Sequence, residues 1–295
     1  MEAIDRGLDI LFVISMWPGL VTLDHVARWR EKCDKVVYYL FDAFPTEWGL
    51  NIFRNSFVND VDLFVVSFYE ALDFFDNNIE TNVIWVPQGI NPERFSYKPW
   101  PRPIFCSAMG RQHEVFFSKT LEYCSARDHM FMYQGEIGGP RRTWQHSYNL
   151  YAQILRNSKY ILNWAGTVTQ ENWESGFRNG PPTCRWFEAA AAGGLQVGIP
   201  PESLEFESLF PNDAIVDVRE YESEPEAVFG HLEELGNEGI EAKTRSLSMH
   251  TLAKHTWFNR IYTILSRLGL EEAFNPPPIS VELDLSTIFV EGTEG

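Results

Sequence analysis

Residues 184–198, CRWFEAAAAGGLQVG, decide the fold and carry most of the functional information in the sequence. An alanine-rich helix, a double glycine and an apolar strand are typical of a helix packed closely on a sheet. We expect Glu188 near the helix N-terminus, where its carboxylate could accept hydrogen bonds from two neighbouring sugar hydroxyls. Because free N–H groups at a helix N-terminus attract anions, the stretch predicts a site for a ribose carrying a phosphate. Taken alone, Glu188 could also be a solvated residue favoured by the helix dipole.

Apolar runs alternate with helical patterns on both sides of this stretch. We predict strands at residues 9–15, 35–40, 62–66, 82–86, 104–108, 130–134, 160–164, 195–199 and 214–218. Besides the alanine-rich helix, helices are predicted at residues 20–32, 114–126, 150–157, 225–235, 242–254 and 257–268. Ser67 and Glu70 have the spacing of a capping box that would open another helix. Nearly continuous apolar strands between helices are typical of parallel sheets covered on both faces.

Residues 96–103, SYKPWPRP, contain three prolines and predict an extended linker between two Rossmann-like units. We therefore expect an α/β protein with a first domain at residues 1–97, a second at residues 98–270 and a tail at residues 271–295. A cleft between the domains is the expected ligand site, because open α/β sheets bind ligands at the carboxyl ends of their strands.

Composition excludes several classes of function. The chain has 295 residues, 44% of them hydrophobic and 15% aromatic, which is enough for well-packed cores. Its formal net charge of −17 argues against nucleic acid or an anionic membrane as a partner, because phosphate-rich surfaces require clustered Lys and Arg. A small phosphorylated ligand needs only a local pocket of positive potential and stays possible.

Cysteine usage and hydropathy bear on location. Cys33, Cys106, Cys124 and Cys184 form no CxxC pair and have no His spacing suited to zinc, so we expect reduced thiols, no metal and a cytoplasmic protein. The apolar run at residues 10–14 is too short to span a bilayer and follows acidic residues. It is therefore interpreted as a buried strand, neither a transmembrane segment nor a signal peptide.

Four basic or flexible residues are candidates for donor binding. Gly110 and Arg111 follow the first strand of the second unit, where a glycine admits close approach and an arginine could neutralise a diphosphate. No GxGxxG motif is present, so NAD and FAD are poorly supported. Lys119 faces either this site or solvent. Arg185, three residues before Glu188, could orient that carboxylate or contact phosphate.

In the first unit, Asp42 follows the second predicted strand. A carboxylate there could bind an acceptor hydroxyl or act as a base, and a turn or capping aspartate is the alternative. The loops at residues 138–144 and 17–19 could cover the cleft or be ordinary surface loops.

Several of these segments together resemble a known family. RWFEAAAAGGLQVG at residues 185–198, ESLEFESLF at 202–210, AIVDV at 214–218 and HTWFNR at 255–260 resemble the donor domain of GT-B glycosyltransferases. The branch they resemble is the one similar to the spore-protein CgeB type and to family 4 enzymes. VPQGINPERF at residues 86–95 resembles the hinge-side V-P-N-G-I-D…F of that fold. The resemblance covers about residues 60–265 of the chain.

The resemblance implies the GT-B fold, with two Rossmann-like domains of which the first is shortened. It also implies transfer of a sugar from a nucleotide-diphosphate sugar to an unknown hydroxyl acceptor, without metal or cofactor and with retention. Glu188 would hold the ribose hydroxyls, and Gly110 and Arg111 would lie at the diphosphate. The departing diphosphate would be stabilised by arginine, lysine and helix dipoles.

Two departures from the family keep other functions open. The second glutamate of family 4, eight positions before Glu188, is replaced here by Gly180, and the first domain is short. Either the acceptor site is minimal, or a partner chain completes it, or the chain is a non-catalytic binding or partner subunit. A nicotinamide-dependent oxidoreductase fits the repeated βαβ pattern but lacks the glycine motif.

Overall fold

The computed structural model describes residues 8–17, 23–24, 28–45, 50, 57–110, 112–133, 144–165, 181–211, 213–221 and 224–275. These residues form two parallel sheets that follow each other along the chain. The two-sheet α/β architecture predicted from the alternating pattern is confirmed.

The first sheet has the order β1-β2-β3-β4, with all strands parallel. Its strands are β1 (Leu8–Ser15), β2 (Cys33–Leu40), β3 (Leu63–Val66) and β4 (Val83–Trp85), with α1 (Leu72–Asp76) between the last two. Every residue of β3 is buried, as expected for a strand covered on both faces. On the edge strand β1, Phe12 and Ile14 are exposed.

The second sheet has the order β6-β5-β7-β8-β9 and is also fully parallel. Its strands are β5 (Ile104–Ala108), β6 (Phe131–Tyr133), β7 (Ser158–Trp164), β8 (Leu195–Ile199) and β9 (Ile215–Asp217). The helices that follow are α2 (Glu114–Ala126), α3 (Trp144–Asn157), α4 (Cys184–Ala192), α5 (Leu204–Leu209), α6 (Pro225–Glu234), α7 (Gly236–Lys254) and α8 (Trp257–Arg267). Strand order reverses at β5, so the carboxyl ends of β5 and β7 flank a topological switch point.

The alanines of α4 allow the close packing that the sequence predicted. Residues 186–192 are all buried, and the hydroxyl of Ser248 on α7 donates to the carbonyl of Ala191 at 2.6 Å. Gly193 then adopts a left-handed conformation with φ of 74°, which ends the helix and turns the chain into β8. α4 is therefore held rigidly on the sheet whose strand ends it faces.

The last helix, α8, packs on the first sheet although it follows the second in sequence. Ile264 shares a buried cluster with Val37 of β2 and Val65 of β3. The chain also joins the two halves at an isolated bridge between Ile90 and Thr256. The predicted domain boundary at residues 97 and 98 stays a prediction, and the first sheet depends on a helix from beyond it.

The proline-rich segment is anchored on the second domain. Arg102 is buried, and its guanidinium donates to the carbonyls of Lys98, Ser158 and Ala192 at 2.7–3.1 Å. Because these contacts satisfy carbonyls at the ends of two elements, the segment is tied to the sheet along its length.

Some local predictions were wrong. Residues 69–71 form a 3-10 turn, and the hydroxyl of Ser67 donates to the carbonyl of Phe41 instead of capping a helix. α3 begins at Trp144, six residues before the predicted start, and α5 was interpreted only as a turn. Residues 20–22 and 25–27 of the predicted helix at residues 20–32 lie outside the described residues, and Arg30–Lys32 form a 3-10 turn. The predicted strands match the observed ones within two residues.

No helix in the described ranges is long and apolar enough to cross a membrane. The same residues contain no group of three or more His, Cys, Asp or Glu side chains able to hold a metal ion.

Candidate active site

The switch point of the second sheet brings the donor-binding candidates together. Gly110 follows β5 with φ of 84°, a conformation that favours glycine. Beyond it, the side-chain oxygen of Gln112 accepts a hydrogen bond from the indole N–H of Trp164, at the end of β7, at 2.9 Å. This bond ties the carboxyl ends of the two strands that flank the switch point.

The guanidinium of Arg185 lies directly against Gly110. A Cβ atom at position 110 would come within 2.1 Å of Nη1 and 2.3 Å of Cζ, so any side chain there would displace the arginine. Arg185 is half-buried, and within the described part of the chain its guanidinium makes no hydrogen bond or ion pair. A positive group that makes no close ion pair and lies against a glycine turn is suited to a phosphate or diphosphate.

Glu188 lies in the second turn of α4, not at its N-terminus as expected. The residue is 3% exposed, and its two oxygens accept hydrogen bonds from the hydroxyls of Tyr148, at 2.7 Å, and Tyr151, at 3.0 Å. Burial raises the pKa of this carboxyl above its usual value, while the tyrosine hydroxyls and the charge of Arg185 lower the pKa in part. Glu188 is therefore a desolvated carboxylate with two hydroxyl donors from α3.

The N-terminus of α4 is partly occupied by the protein itself. The N–H of Cys184 donates to Oε1 of Gln88 at 2.6 Å, and that of Trp186 donates to the carbonyl of Thr183 at 3.1 Å. Thr183 stands at the N-cap position, but its side chain makes no capping bond. The expectation that these N–H groups are free to bind an anion is thus wrong for two of them.

Asp42 faces the same region from the first domain. It follows β2, and its backbone N–H donates to the carbonyl of Met16 at 2.9 Å. Burial raises the pKa of the Cys184 thiol, and the negative charges of Glu188 and Asp42 raise it further. Asp42 lies close to the start of α4, because the side chain of Gln88 joins the carbonyl of its neighbour Phe41 to the N–H of Cys184.

The remaining candidates are placed elsewhere or lie outside the described residues. Lys119 is exposed on α2, in a surface groove that it shares with Arg127 and Glu226, and its part in donor binding stays a prediction. Arg111, Gly180 and most of the loops at residues 17–19 and 138–144 are outside the described residues, as is the tail from residue 276 onward.

A second cluster of buried polar residues joins the two domains and was not predicted. Glu205 on α5 accepts the backbone N–H of Tyr69 at 3.0 Å and the indole N–H of Trp85 at 3.3 Å. Burial raises its pKa to about 8.

Arg260 and His255 complete that cluster. Arg260 donates through Nε and Nη2 to the carbonyl of Gln88, at 3.2 Å each, and burial lowers its pKa to about 10. Nη2 also lies 2.9 Å from Nδ1 of His255, whose pKa is lowered to about 3 by burial and by the charge of Arg260. Gln88, His255 and Arg260 lie in VPQGI and HTWFNR, two segments that carry the family resemblance. The sequence did not show that these residues contact one another.

A family model described as glycosyl transferase-like matches residues 113–266, more than half of the chain. The chain belongs to the glycosyl transferase-like family. No curated protein matches it in sequence. The family match confirms the prediction of a glycosyltransferase and argues against a nicotinamide-dependent oxidoreductase, whereas the CgeB-like branch stays a prediction.

Solved structures with the same architecture are distant in sequence. HepE of Anabaena, solved in complex with UDP and glucose, is 11% identical with a TM-score of 0.50, over 80% of this chain and 71% of HepE. TarM is 9% identical with a TM-score of 0.50, over 89% of this chain and 54% of TarM. At these identities the likeness shows the fold, which is GT-B as predicted. This chain spans about half the length of TarM.

Proposed function

We propose that this chain transfers a sugar from a nucleoside-diphosphate sugar to a hydroxyl acceptor, with the donor held at the switch point of the second sheet. The observation that carries the proposal is the guanidinium of Arg185 against the Gly110 turn, with no hydrogen bond or close ion pair of its own among the described residues. An arginine can bind two phosphate oxygens at once, and the glycine admits the ligand close to the backbone. The complex of HepE with UDP and glucose supports this class of donor.

Glu188 is proposed to bind the ribose by giving up the tyrosine hydroxyls that now donate to it and accepting two ribose hydroxyls in their place. The hydroxyls of Tyr148 and Tyr151 each donate to one of its oxygens, as two adjacent ribose hydroxyls would. Because buried acceptors are costly when unpaired, an exchange of hydroxyl for hydroxyl is the least costly way for a ligand to enter. Tyr148, which is half-buried, would withdraw as the nucleotide binds.

Transfer then needs positive charge at the leaving group and an acceptor oxygen in place. The bond between the anomeric carbon and the diphosphate oxygen breaks, and a bond to the acceptor oxygen forms. Arg185, with Arg111, neutralises the departing diphosphate, so the proposal requires no metal or further cofactor. Asp42 binds the acceptor hydroxyl or accepts its proton from across the cleft. Retention of configuration is part of the proposal through the family 4 resemblance alone.

Turnover of a panel of nucleotide sugars, measured as released nucleoside diphosphate, tests the proposal. We expect Glu188→Ala and Arg111→Ala to reduce donor use strongly while the fold is retained. Arg127→Ala is a matched control, because Arg127 is an exposed arginine that directly follows α2, outside the site. Unchanged turnover in purified Glu188→Ala protein would refute the ribose assignment.

A second candidate is a non-catalytic subunit whose first domain is completed by a partner chain. The observation that favours it lies at the edge strand β1, where Phe12 and Ile14 are 37% and 60% exposed, and Met16, just after the strand, is 43% exposed. Parallel sheets usually bury both faces, so these side chains suit a covering partner. Turnover of any nucleotide sugar by the chain alone would decide against this candidate.

A further inference from the structure

We propose that Gln88 is a positioning residue that sets the spacing between the acceptor side and the donor side of the cleft. The proposal rests on the function proposed above. Oε1 of Gln88 accepts the N–H of Cys184 at 2.6 Å, and Nε2 donates to the carbonyl of Phe41 at 3.1 Å. Cys184 and Phe41 directly precede Arg185 and Asp42 in sequence. One side-chain amide therefore joins the neighbour of Asp42, on the proposed acceptor side, to the neighbour of Arg185, on the proposed donor side.

The amide group suits this position chemically. Gln88 is 1% exposed, so neither contact can be replaced by bulk water. The site requires an acceptor toward Cys184 and a donor toward Phe41, and a glutamine supplies both from one planar group. A glutamate would place an acceptor against the Phe41 carbonyl. A leucine would leave the N–H of Cys184 unpaired and the Phe41 carbonyl with the hydroxyl of Ser67 alone.

The backbone of Gln88 is itself fixed by the cluster that joins the domains. Its carbonyl accepts both Nε and Nη2 of Arg260, at 3.2 Å each. Two residues earlier, the carbonyl of Val86 accepts the hydroxyl of Tyr39 at 3.0 Å. Supporting contacts of this kind hold a functional group within a narrow range of positions. The backbone of Gln88 is therefore fixed, and its side chain spans the gap between Phe41 and Cys184 like a strut.

The strut affects the two halves of the reaction differently. Gly110, Arg185 and Glu188 all belong to the second domain, so the donor site keeps its internal geometry when Gln88 is altered. Asp42 belongs to the first domain, so its position relative to the bound donor changes when Gln88 is altered. Because a misplacement of about 1 Å can lower a rate about 100-fold, sugar transfer should fall while donor binding persists.

The test compares Gln88→Glu and Gln88→Leu with Gln153→Glu, a control at an exposed glutamine on α3. In each sample, sugar transferred to an acceptor is measured against donor hydrolysed by water, a ratio that does not depend on the folded fraction. We expect this ratio to fall at least tenfold in both Gln88 variants and the Kd for nucleoside diphosphate to change less than threefold. An unchanged ratio would overturn the proposal, as would a loss of donor binding equal to the loss of transfer.

Amide hydrogen exchange supplies a readout that needs no activity. The Cys184 amide should exchange at least tenfold faster in Gln88→Leu than in the wild type or Gln153→Glu, with amides in β8 unchanged. Equal exchange rates of the Cys184 amide in all three proteins would contradict the proposed bridge from Phe41 through Gln88 to Cys184. If the wild type showed no turnover but Cys184 responded, the proposed function would fail and the bridge between the domains would stand.

Discussion

Glu188 and Glu205 are two buried carboxylates of the second domain that differ in the kind of donor they accept. Glu188 accepts two tyrosine hydroxyls from α3, a helix of its own domain. Glu205 accepts a backbone N–H and an indole N–H from the first domain. Hydroxyls on side chains can be replaced by hydroxyls of a ligand, whereas a backbone N–H and a buried indole cannot leave without breaking the domain contact.

The nearby arginines differ in the same way. Arg185, beside Glu188, is half-buried and unbonded within the described residues, while Arg260, beside Glu205, is 7% exposed and donates to the carbonyls of Gln88 and Lys254. The charge of each arginine lowers the pKa of the carboxyl near it, although burial raises that pKa more. Glu188 is bonded within its own domain and Glu205 is bonded to the other domain, so burial alone does not distinguish the two carboxyl groups.

The two arginines should give the largest contrast. Arg260→Met should lower the free energy of unfolding by about 3 kcal/mol, because several buried groups lose their partner. Arg185→Met should change it by less than about 1 kcal/mol but weaken nucleoside-diphosphate binding about 100-fold. Denaturant unfolding and calorimetric titration measure the two effects. Equal loss of stability in both variants would break the comparison.

Replacing each of the two glutamates by glutamine should distinguish the carboxylate that binds nucleotide from the one that only joins the domains. Glu188→Gln should weaken nucleoside-diphosphate binding about tenfold, because the amide offers one acceptor where two hydroxyls need two. Glu205→Gln should leave that affinity within about twofold. Isothermal titration with UDP and GDP checks both, and a weaker affinity in Glu205→Gln alone would reverse the assignment.

The pH dependence of stability should reveal Glu205. Its pKa is raised from 4.5 to about 8 on folding, so its stabilising contribution is complete below pH 4.5 and is lost as pH rises toward 8. His255, lowered from 6.5 to about 3, has the opposite effect below pH 6.5, so the window from pH 6.5 to 8 isolates the carboxyl groups. Across it we expect a loss of about 1–2 kcal/mol in the wild type and a flatter curve for Glu205→Gln.

Thermal unfolding at several pH values measures this slope. Two nearby charges also act on Glu205: the negative charge of Glu70 raises its pKa, and the positive charge of Arg260 lowers it. Glu188 has a raised pKa as well, so part of the slope should survive in Glu205→Gln. Parallel curves for the variant and the wild type would show that Glu205 is already ionised in the folded protein.

Tyr148→Phe should have the smallest effect and the most specific one. Removing the hydroxyl deletes a competitor for Glu188, so nucleoside diphosphate should bind about threefold more tightly. Tyr262→Phe, at an exposed tyrosine of α8, is the control. Weaker binding in Tyr148→Phe would mean that this hydroxyl contacts the ligand and is not displaced by it.

Local patterns in the sequence predicted the strands and most helices, because buried strands and the alanine-rich helix have strong local signals. The residues that connect elements were harder. Ser67 and Glu70 have ideal capping-box spacing, yet Ser67 bonds to the Phe41 carbonyl on a neighbouring strand end. Tertiary hydrogen bonds of this kind leave no mark on local spacing.

The site shows the same division. Glu188, Arg185, Gly110 and Asp42 could be chosen because each stands next to a strand or helix boundary that the sequence predicts. Tyr148 and Tyr151 are three residues apart on one face of α3, but the helix was predicted to start at residue 150, which hid that face. Gln88 and Glu205 act between domains, and a single sequence does not show which residues meet there.

The packing of α8 on the first sheet has a consequence for the order in which the domains fold during synthesis of the chain. The cluster that contains Val37, Val65 and Val86 is incomplete until Ile264 emerges from the ribosome. Domains made early in a chain usually fold first, but here one face of the first sheet is covered by a helix near the other end of the described chain. The second sheet, whose strands and covering helices lie between those two segments, should therefore mature earlier and serve as the platform on which the first is finished.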